Sequence, residues 1–157
     1  MPKHVSTDDR LAIQELIAKY AHYVDNGLGK AWASLFTPDG TLDYLDTHVE
    51  GYDQLVAFAE QALAFYPTHF AGNTIMVETA PGQVHARTMN IVCARSKQAT
   101  VLEIMGVPVD APADAPTEVR GVGIYDDRII RTEQGWRFRS RAAGSTGVMP
   151  LHPDFLP

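Results

Sequence analysis

Two hydrophobic periods run along this chain, and they change over near Pro67. From Thr7 to about Asp25 the apolar residues Leu11, Ile13, Leu16, Ile17, Tyr20 and Val24 return every three or four positions. That spacing lines one face of a long first helix. Ser6 stands before Thr7-Asp8-Asp9 as a cap followed by early acids, which suits the positive end of a helix. Asn26-Gly27 supplies the stop. Lys30 to Phe36 predicts a short second helix, closed by the turn residues Thr37-Pro38-Asp39-Gly40. A short strand over Thr41 to Tyr44 puts Leu42 and Tyr44 on one face, and Asp46 to Gly51 reads as a loop. A third helix follows from Tyr52 to about Tyr66, with Leu55, Phe58, Ala59, Ala62 and Phe65 as its inner stripe.

Beyond Pro67 the period becomes two, the period of strands. Strands are expected over Thr68 to Thr79, Gln83 to about Ser96, Thr117 to Thr132 and Trp136 to Ala143. Ala99 to Val107 continues the second of these or starts another. Ala80-Pro81-Gly82 and Glu133-Gln134-Gly135 are turns, and the prolines between Pro108 and Pro116 mark an exposed loop. Residues 144–157 are irregular but carry Val148, Met149, Leu151, Phe155 and Leu156. A tail that apolar is expected to dock, and it reads as a lid over a pocket mouth. Helices first and strands afterwards make an α+β architecture in one domain, residues 1–157. A long helix on the concave face of a twisted sheet encloses a cone-shaped cavity, open at one end for a small molecule.

Composition narrows the function. A length of 157 residues suits a single core, and a net charge of −6 without a basic run argues against nucleic acid as partner. No apolar run approaches the length of a membrane span. Met1-Pro2-Lys3-His4 leads directly into the first helix, so the cytoplasm is expected. Cys93 stands alone, which excludes an internal disulfide and a cysteine-based zinc cluster, and it reads as a small core residue. No glycine-rich phosphate loop and no His-Glu-x-x-His pair occurs, so no cofactor and no metal are expected.

The polar residues that break the apolar pattern supply the candidate chemistry. His69 begins a strand just past a helix stop, and alternation places Ala71, Asn73 and Ile75 on its side. Asp25 falls in the last turn of the first helix, where the helix dipole disfavours a carboxylate. In the next strand Thr88, Asn90 and Val92 share one face, and Met89, Ile91 and Cys93 the other. An apolar outer face of that kind calls for a partner, so a homo-oligomer, dimer or trimer, is expected. Trp32 and Trp136 read as core, and Arg131 with Asp127 as a surface or rim ion pair. His22, His48, His85 and His152 have no partners in sequence and read as surface residues; His152, on the tail, is the one placed to reach a pocket.

Three stretches together resemble a known family. They are Asp9-Arg10-Leu11-Ala12-Ile13-Gln14-Glu15-Leu16 with Tyr20 and Asp25; His69-Phe70-Ala71-Gly72-Asn73-Thr74; and Tyr125-Asp126-Asp127-Arg128 with Arg131, Gly135, Trp136, Arg137, Phe138 and Arg141. The chain resembles the SnoaL-like branch of the nuclear transport factor 2-like superfamily, and within it the scytalone dehydratase-like proteins. The resemblance implies a strongly curved antiparallel sheet wrapped around the first helix. It places Asp25 and His69 on the catalytic aspartate and histidine of the dehydratases. Tyr44 falls on a tyrosine that helps to polarise a substrate carbonyl through water.

Two positions depart from that pattern. The tyrosine expected beside the aspartate is Val24, with Tyr23 one step away, and the second pocket histidine is missing, with Asn90 the nearest polar group. The departures point away from scytalone itself as substrate. The expected site therefore comprises His69, Asp25 and Tyr44 for chemistry, and Asn73, Asn90, Tyr125, Tyr23 and Val24 for binding. The implied activity is cofactor-free elimination or isomerisation on a small, hydrophobic, cyclic, oxygenated substrate. The alternative is a non-catalytic binding module built on the same pocket.

Overall fold

The computed structural model describes residues 4–62, 67–94, 118–144 and 149–156. Helix α1 spans Thr7–Asp25 and is capped by the Ser6 side chain, which accepts from the Asp9 N–H. Its buried residues, Ile13, Leu16, Ile17, Tyr20, Ala21 and Val24, form the stripe the spacing predicts, although Leu11 lies outside it and is exposed. Helix α2 (Gly29–Ala33) and helix α3 (Tyr52–Ala62) complete the helical layer. Phe65, expected on the inner stripe of α3, and the segments 99–107 and 108–116 lie outside the described residues. No helix among the described residues is long and apolar enough to cross a membrane.

The strands are β1 (Phe36–Tyr44), β2 (Thr47–Glu50), β3 (Thr68–Ala80), β4 (Gln83–Ala94), β5 (Glu118–Thr132) and β6 (Gly135–Gly144). They form one curved six-stranded sheet in the order β2-β1-β6-β5-β4-β3. All pairs are antiparallel except β1 with β6, which run parallel. The sheet is therefore mixed, where an antiparallel one was expected.

The sequence places the start of this sheet too late. Strand β1 begins at Phe36, inside the expected second helix, because the Leu35 carbonyl accepts from the Phe138 N–H of β6 at 2.9 Å. The turn-like residues Thr37 to Gly40 form an irregularity within β1 rather than its start. Gly40 belongs there, since a Cβ at this position would lie 2.8 Å from that of Phe36 and 2.9 Å from the Thr37 carbonyl. The expected loop after β1 is a hairpin to β2, turned through Leu45 at φ 52°. A leucine gives no sequence signal for a left-handed turn residue.

Between the helices and the sheet lies an aromatic core. The Tyr20 ring sits 5.0 Å from Trp32, 5.5 Å from Tyr125 and 5.9 Å from Phe138. Trp32 is wholly buried. Trp136 is buried too, and its indole N–H donates to Asp9, which also pairs with Arg131. Cys93 is only half-buried, and so is not a core residue.

The tail docks on the side of the sheet away from the helices. His85, Arg87, Met89 and Ile91 alternate along β4 on its outer face. His85 is fully buried there, which overturns its reading as a surface residue. Its Nδ1 pairs with Asp154 at 2.7 Å and its Nε2 with Asp126 at 2.8 Å. The ring thus lies between two carboxylates, which only accept. Arg128 adds a contact to Asp154 at 3.2 Å, and Arg87 donates to the carbonyls of Met149 and Pro150. Phe155 lies across the His85 ring at 4.4 Å between centroids. Residues 149–156 therefore do not form the expected lid, and His152 does not reach the cavity. Charge and hydrogen bonding place this stretch, while Leu151 and Leu156 remain exposed.

The tail anchor has a definite pH dependence. The hydrogen bond from His85 is the leading cause that holds the Asp154 carboxyl below its usual range. Burial raises that of Asp126, but His85, Arg128 and Arg87 together outweigh it and leave it lowered. A carboxyl depressed in the folded state stabilises it above the unfolded value and loses that contribution as pH falls through the folded one. Docking is thus expected to hold at neutral pH and to weaken progressively as pH falls below about 4, the ordinary carboxyl value. Asp154→Asn is expected to release the tail at neutral pH. Limited proteolysis checks this: the variant loses its C-terminal segment and the wild type keeps it.

Candidate active site

The last turn of α1 and the first residues of β3 meet at one carboxylate. Asp25 Oδ1 lies 2.5 Å from His69 Nδ1, and Oδ2 accepts the His69 backbone N–H at 2.8 Å. One side chain thus holds both the ring and the backbone of the other. It also explains why an acid stands at the negative end of a helix: two N–H groups of β3 face it. The side chains are 13% and 16% exposed for His69 and Asp25. Because the carboxylate only accepts, Nδ1 carries the ring proton and Nε2 is left as the basic nitrogen.

His69 lines two hollows. One is the more enclosed of the two, a partly open cavity of about 270 Å³, walled by Tyr20, Val24, Tyr44, Phe58, Asn90, Arg120 and Tyr125 among others. The other is an open groove of about 910 Å³ along α1 and β3 that includes His22, Asp25, Asn26 and Asn73. The imidazole stands where the two meet. The enclosed cavity is small for a ligand site, whose usual range begins near about 300 Å³. It therefore suits a compact ligand.

The structure brings most of the expected residues together. His69, Tyr44, Asn90, Tyr125 and Val24 all line the enclosed cavity. Burial pushes the Tyr44 hydroxyl above its usual pKa and the Tyr125 hydroxyl well above it. Both stay protonated at neutral pH, as hydrogen-bond donors must. Tyr23 is different: it packs half-buried at the edge of the core, outside the cavity wall. Helical geometry turns it about 100° from Val24, so only one of the two can face the ligand.

Asn73 also leaves the expected face. It lies at φ 52° within a register shift of β3 between Gly72 and Ile75. That bulge breaks the alternation. Thr74 turns inward to bond Thr88 at 2.9 Å, Ile75 pairs with Arg87 on the outer side, and the Asn73 amide approaches the Met89 sulfur at 3.7 Å. Asn73 lines the open groove and not the enclosed cavity.

Beneath the cavity lies an ion pair read incorrectly from sequence. Asp127 is fully buried and pairs with Arg141, not at the rim; Arg141 donates Nε and Nη2 to its two oxygens, each at 2.7 Å. The guanidinium carbon lies 4.0 Å from the ring centroids of both Tyr20 and Tyr125 and 4.2 Å from that of Phe138. Burial works against its charge, and Asp127 outweighs burial, so Arg141 stays cationic. It holds the two tyrosines that wall the cavity. Among the described residues, His85, His152 and Asp154 have metal-like spacing, within 4.8 Å of one another. Their donor atoms already pair with each other and with Arg128, as the tail anchor requires.

A family model described as a SnoaL-like domain matches residues 5–142. The chain belongs to the SnoaL-like family. No curated protein matches its sequence. Among solved structures, this SnoaL-like domain is similar to three proteins from Novosphingobium aromaticivorans. One carries the provisional name aromatic ring hydroxylase, with 24% identity, a TM-score of 0.73 and 95% of each chain covered. Another is provisionally named scytalone dehydratase, with 19% identity, a TM-score of 0.70, and 90% of this chain and 89% of that one covered. A third is a nuclear transport factor 2-like protein with a cystatin-like fold, at 20% identity and a TM-score of 0.71, covering 90% and 84%. At these identities the likeness concerns the fold. The SnoaL-like domain therefore has the cone-shaped α+β architecture, within a family that includes dehydratases and isomerases.

Proposed function

We propose that the domain is a cofactor-free lyase or isomerase acting next to a carbonyl group of a small, hydrophobic, cyclic, oxygenated substrate. The observation that carries the reading is the Asp25–His69 contact at 2.5 Å, with His69 on the wall of the more enclosed cavity. His69 Nε2 takes a proton from the carbon beside the carbonyl, and the released electron pair moves onto the carbonyl oxygen. Asp25 stabilises the imidazolium that forms. Tyr44 and Tyr125, kept protonated by burial, supply hydrogen bonds toward the enolate oxygen. Asn90 orients the substrate.

In an elimination the enolate pair returns and a β-hydroxyl leaves as water with the proton held on Nε2. In an isomerisation that proton returns to a different carbon. A pure binding module has no use for a basic nitrogen fixed by a carboxylate. The test is exchange in D2O with a panel of cyclic ketones and β-hydroxy ketones, followed by NMR. Deuterium uptake beside the carbonyl, or loss of water, is expected with wild type and not with His69→Ala. Panel members that bind without either change would leave the domain a binder.

The outer face carries a second proposal, a homo-oligomer. Phe70, Ile91 and Val122 stand opposite one another on β3, β4 and β5, and they are 61%, 40% and 62% exposed. Met89 beside them is 52% exposed. Apolar surface of this kind is normally covered. Light scattering at micromolar concentration is expected to show a dimer or trimer, and Ile91→Glu with Val122→Glu a monomer.

A further inference from the structure

We propose that Arg120 is the group by which the cavity recognises its ligand, and that the ligand is a small cyclic acid whose carboxylate lies against this guanidinium. The inference rests on reading the enclosed cavity as the ligand site. Three observations carry it.

The first is a bulge. Strand β5 pairs Gly121 with Val92 and Val119 with Cys93, so Arg120 is the extra residue between two rungs. Bulges re-aim a side chain, and they gather beside functional sites. This one places Arg120 on the cavity wall. The second is charge. Among the described residues that line the enclosed cavity, Arg120 is the one with a permanent charge. Its side chain is 14% exposed, and its Nε and Nη2 are shielded from solvent. A chain of net charge −6 has turned a guanidinium inward, where a carboxylate would feel it most strongly. Glu118 holds Nη2 at 3.3 Å but is 42% exposed and does not line the cavity. It orients the guanidinium from the solvent side and competes with an incoming anion. The third is register. His69 pairs with Val92, and Val92 with Gly121. The basic histidine and Arg120 therefore stand about two strand spacings apart, roughly 10 Å, on the concave face. A cyclic molecule held at one edge by its carboxylate presents its far side to His69. Beside Arg120 there is room for it, since a Cβ at Gly121 would meet nothing within 4 Å.

The test uses a matched pair of probes, trans-cinnamate and its neutral amide, titrated calorimetrically at neutral pH into the full-length protein. Wild type is expected to bind the carboxylate at least about tenfold more tightly than the amide. Arg120→Gln is expected to abolish that ratio, weakening the carboxylate far more than the amide. Glu118→Gln, which removes the competing carboxylate, is expected to raise the ratio, and Arg120→Lys to retain part of it. His69→Ala is expected to keep it, so the outcome is independent of whether the dyad is catalytic. If Arg120→Gln does not fold, the Lys and Glu118 variants still decide the matter. Equal affinity of wild type for the two probes, no carboxylate binding at millimolar concentration, or a preference that survives Arg120→Gln would overturn the proposal.

Discussion

His69→Ala is expected to lower turnover by about 10²–10⁴-fold on any substrate the domain converts, the usual contribution of a positioned general base. Asp25→Asn is expected to fall in the same range by another route. Its amide still offers an oxygen to the His69 backbone N–H, but rotated it presents an NH2 to Nδ1. The imidazole then keeps its proton on Nε2, the wrong nitrogen for a base. The two residues touch at 2.5 Å; in the proposed mechanism they act through one proton transfer, so the double variant should be little slower than either single one. Ligand affinity should change far less than kcat. Steady-state kinetics together with direct binding measurements decide the question. Losses that multiply, or single variants with full activity, would mean that the cavity works without this pair.

Arg141→Ala is expected to destabilise the fold by about 3–5 kcal/mol, because it strands the Asp127 carboxylate without a partner in the core. Both side chains are wholly buried. The substitution also removes the cation from between Tyr20 and Tyr125, so part of the loss is packing. Urea denaturation gives the free energies. The double variant Asp127→Asn with Arg141→Met is expected to recover much of the loss, since no charge remains buried. Single variants within about 1 kcal/mol of wild type would show that the pair has a solvent-reachable partner in its place.

How much of this was legible in the sequence differs from element to element. Helix α1 was, because its face is set by spacing alone and its start by Ser6. The placement of His69 at the head of β3 was too, because the strand period begins just past Pro67. Asp25 was marked by its unfavourable position at a helix end, but only its distance to His69 gives that position a reason. Asn73 was misplaced because alternation was carried through a residue at φ 52°, where it fails. Arg120 went unnoticed for the same reason: read with strict period two, it falls on the outer face with Val122, and only the strand register reveals the extra residue.

Local preference and the period of apolar residues determined the helices, most strands and the side of each strand that meets the core. These depend on residues a few positions apart, which a sequence displays directly. Pairing across distance was decided by the tertiary structure. Asp127 with Arg141 rather than at the rim, His85 between Asp126 and Asp154, the parallel β1–β6 contact and the docking of the tail outside the cavity are all of this kind. A charged side chain does not encode its partner in its own neighbourhood. It is settled once the folded sheet has excluded water and left each buried charge facing the groups able to satisfy it.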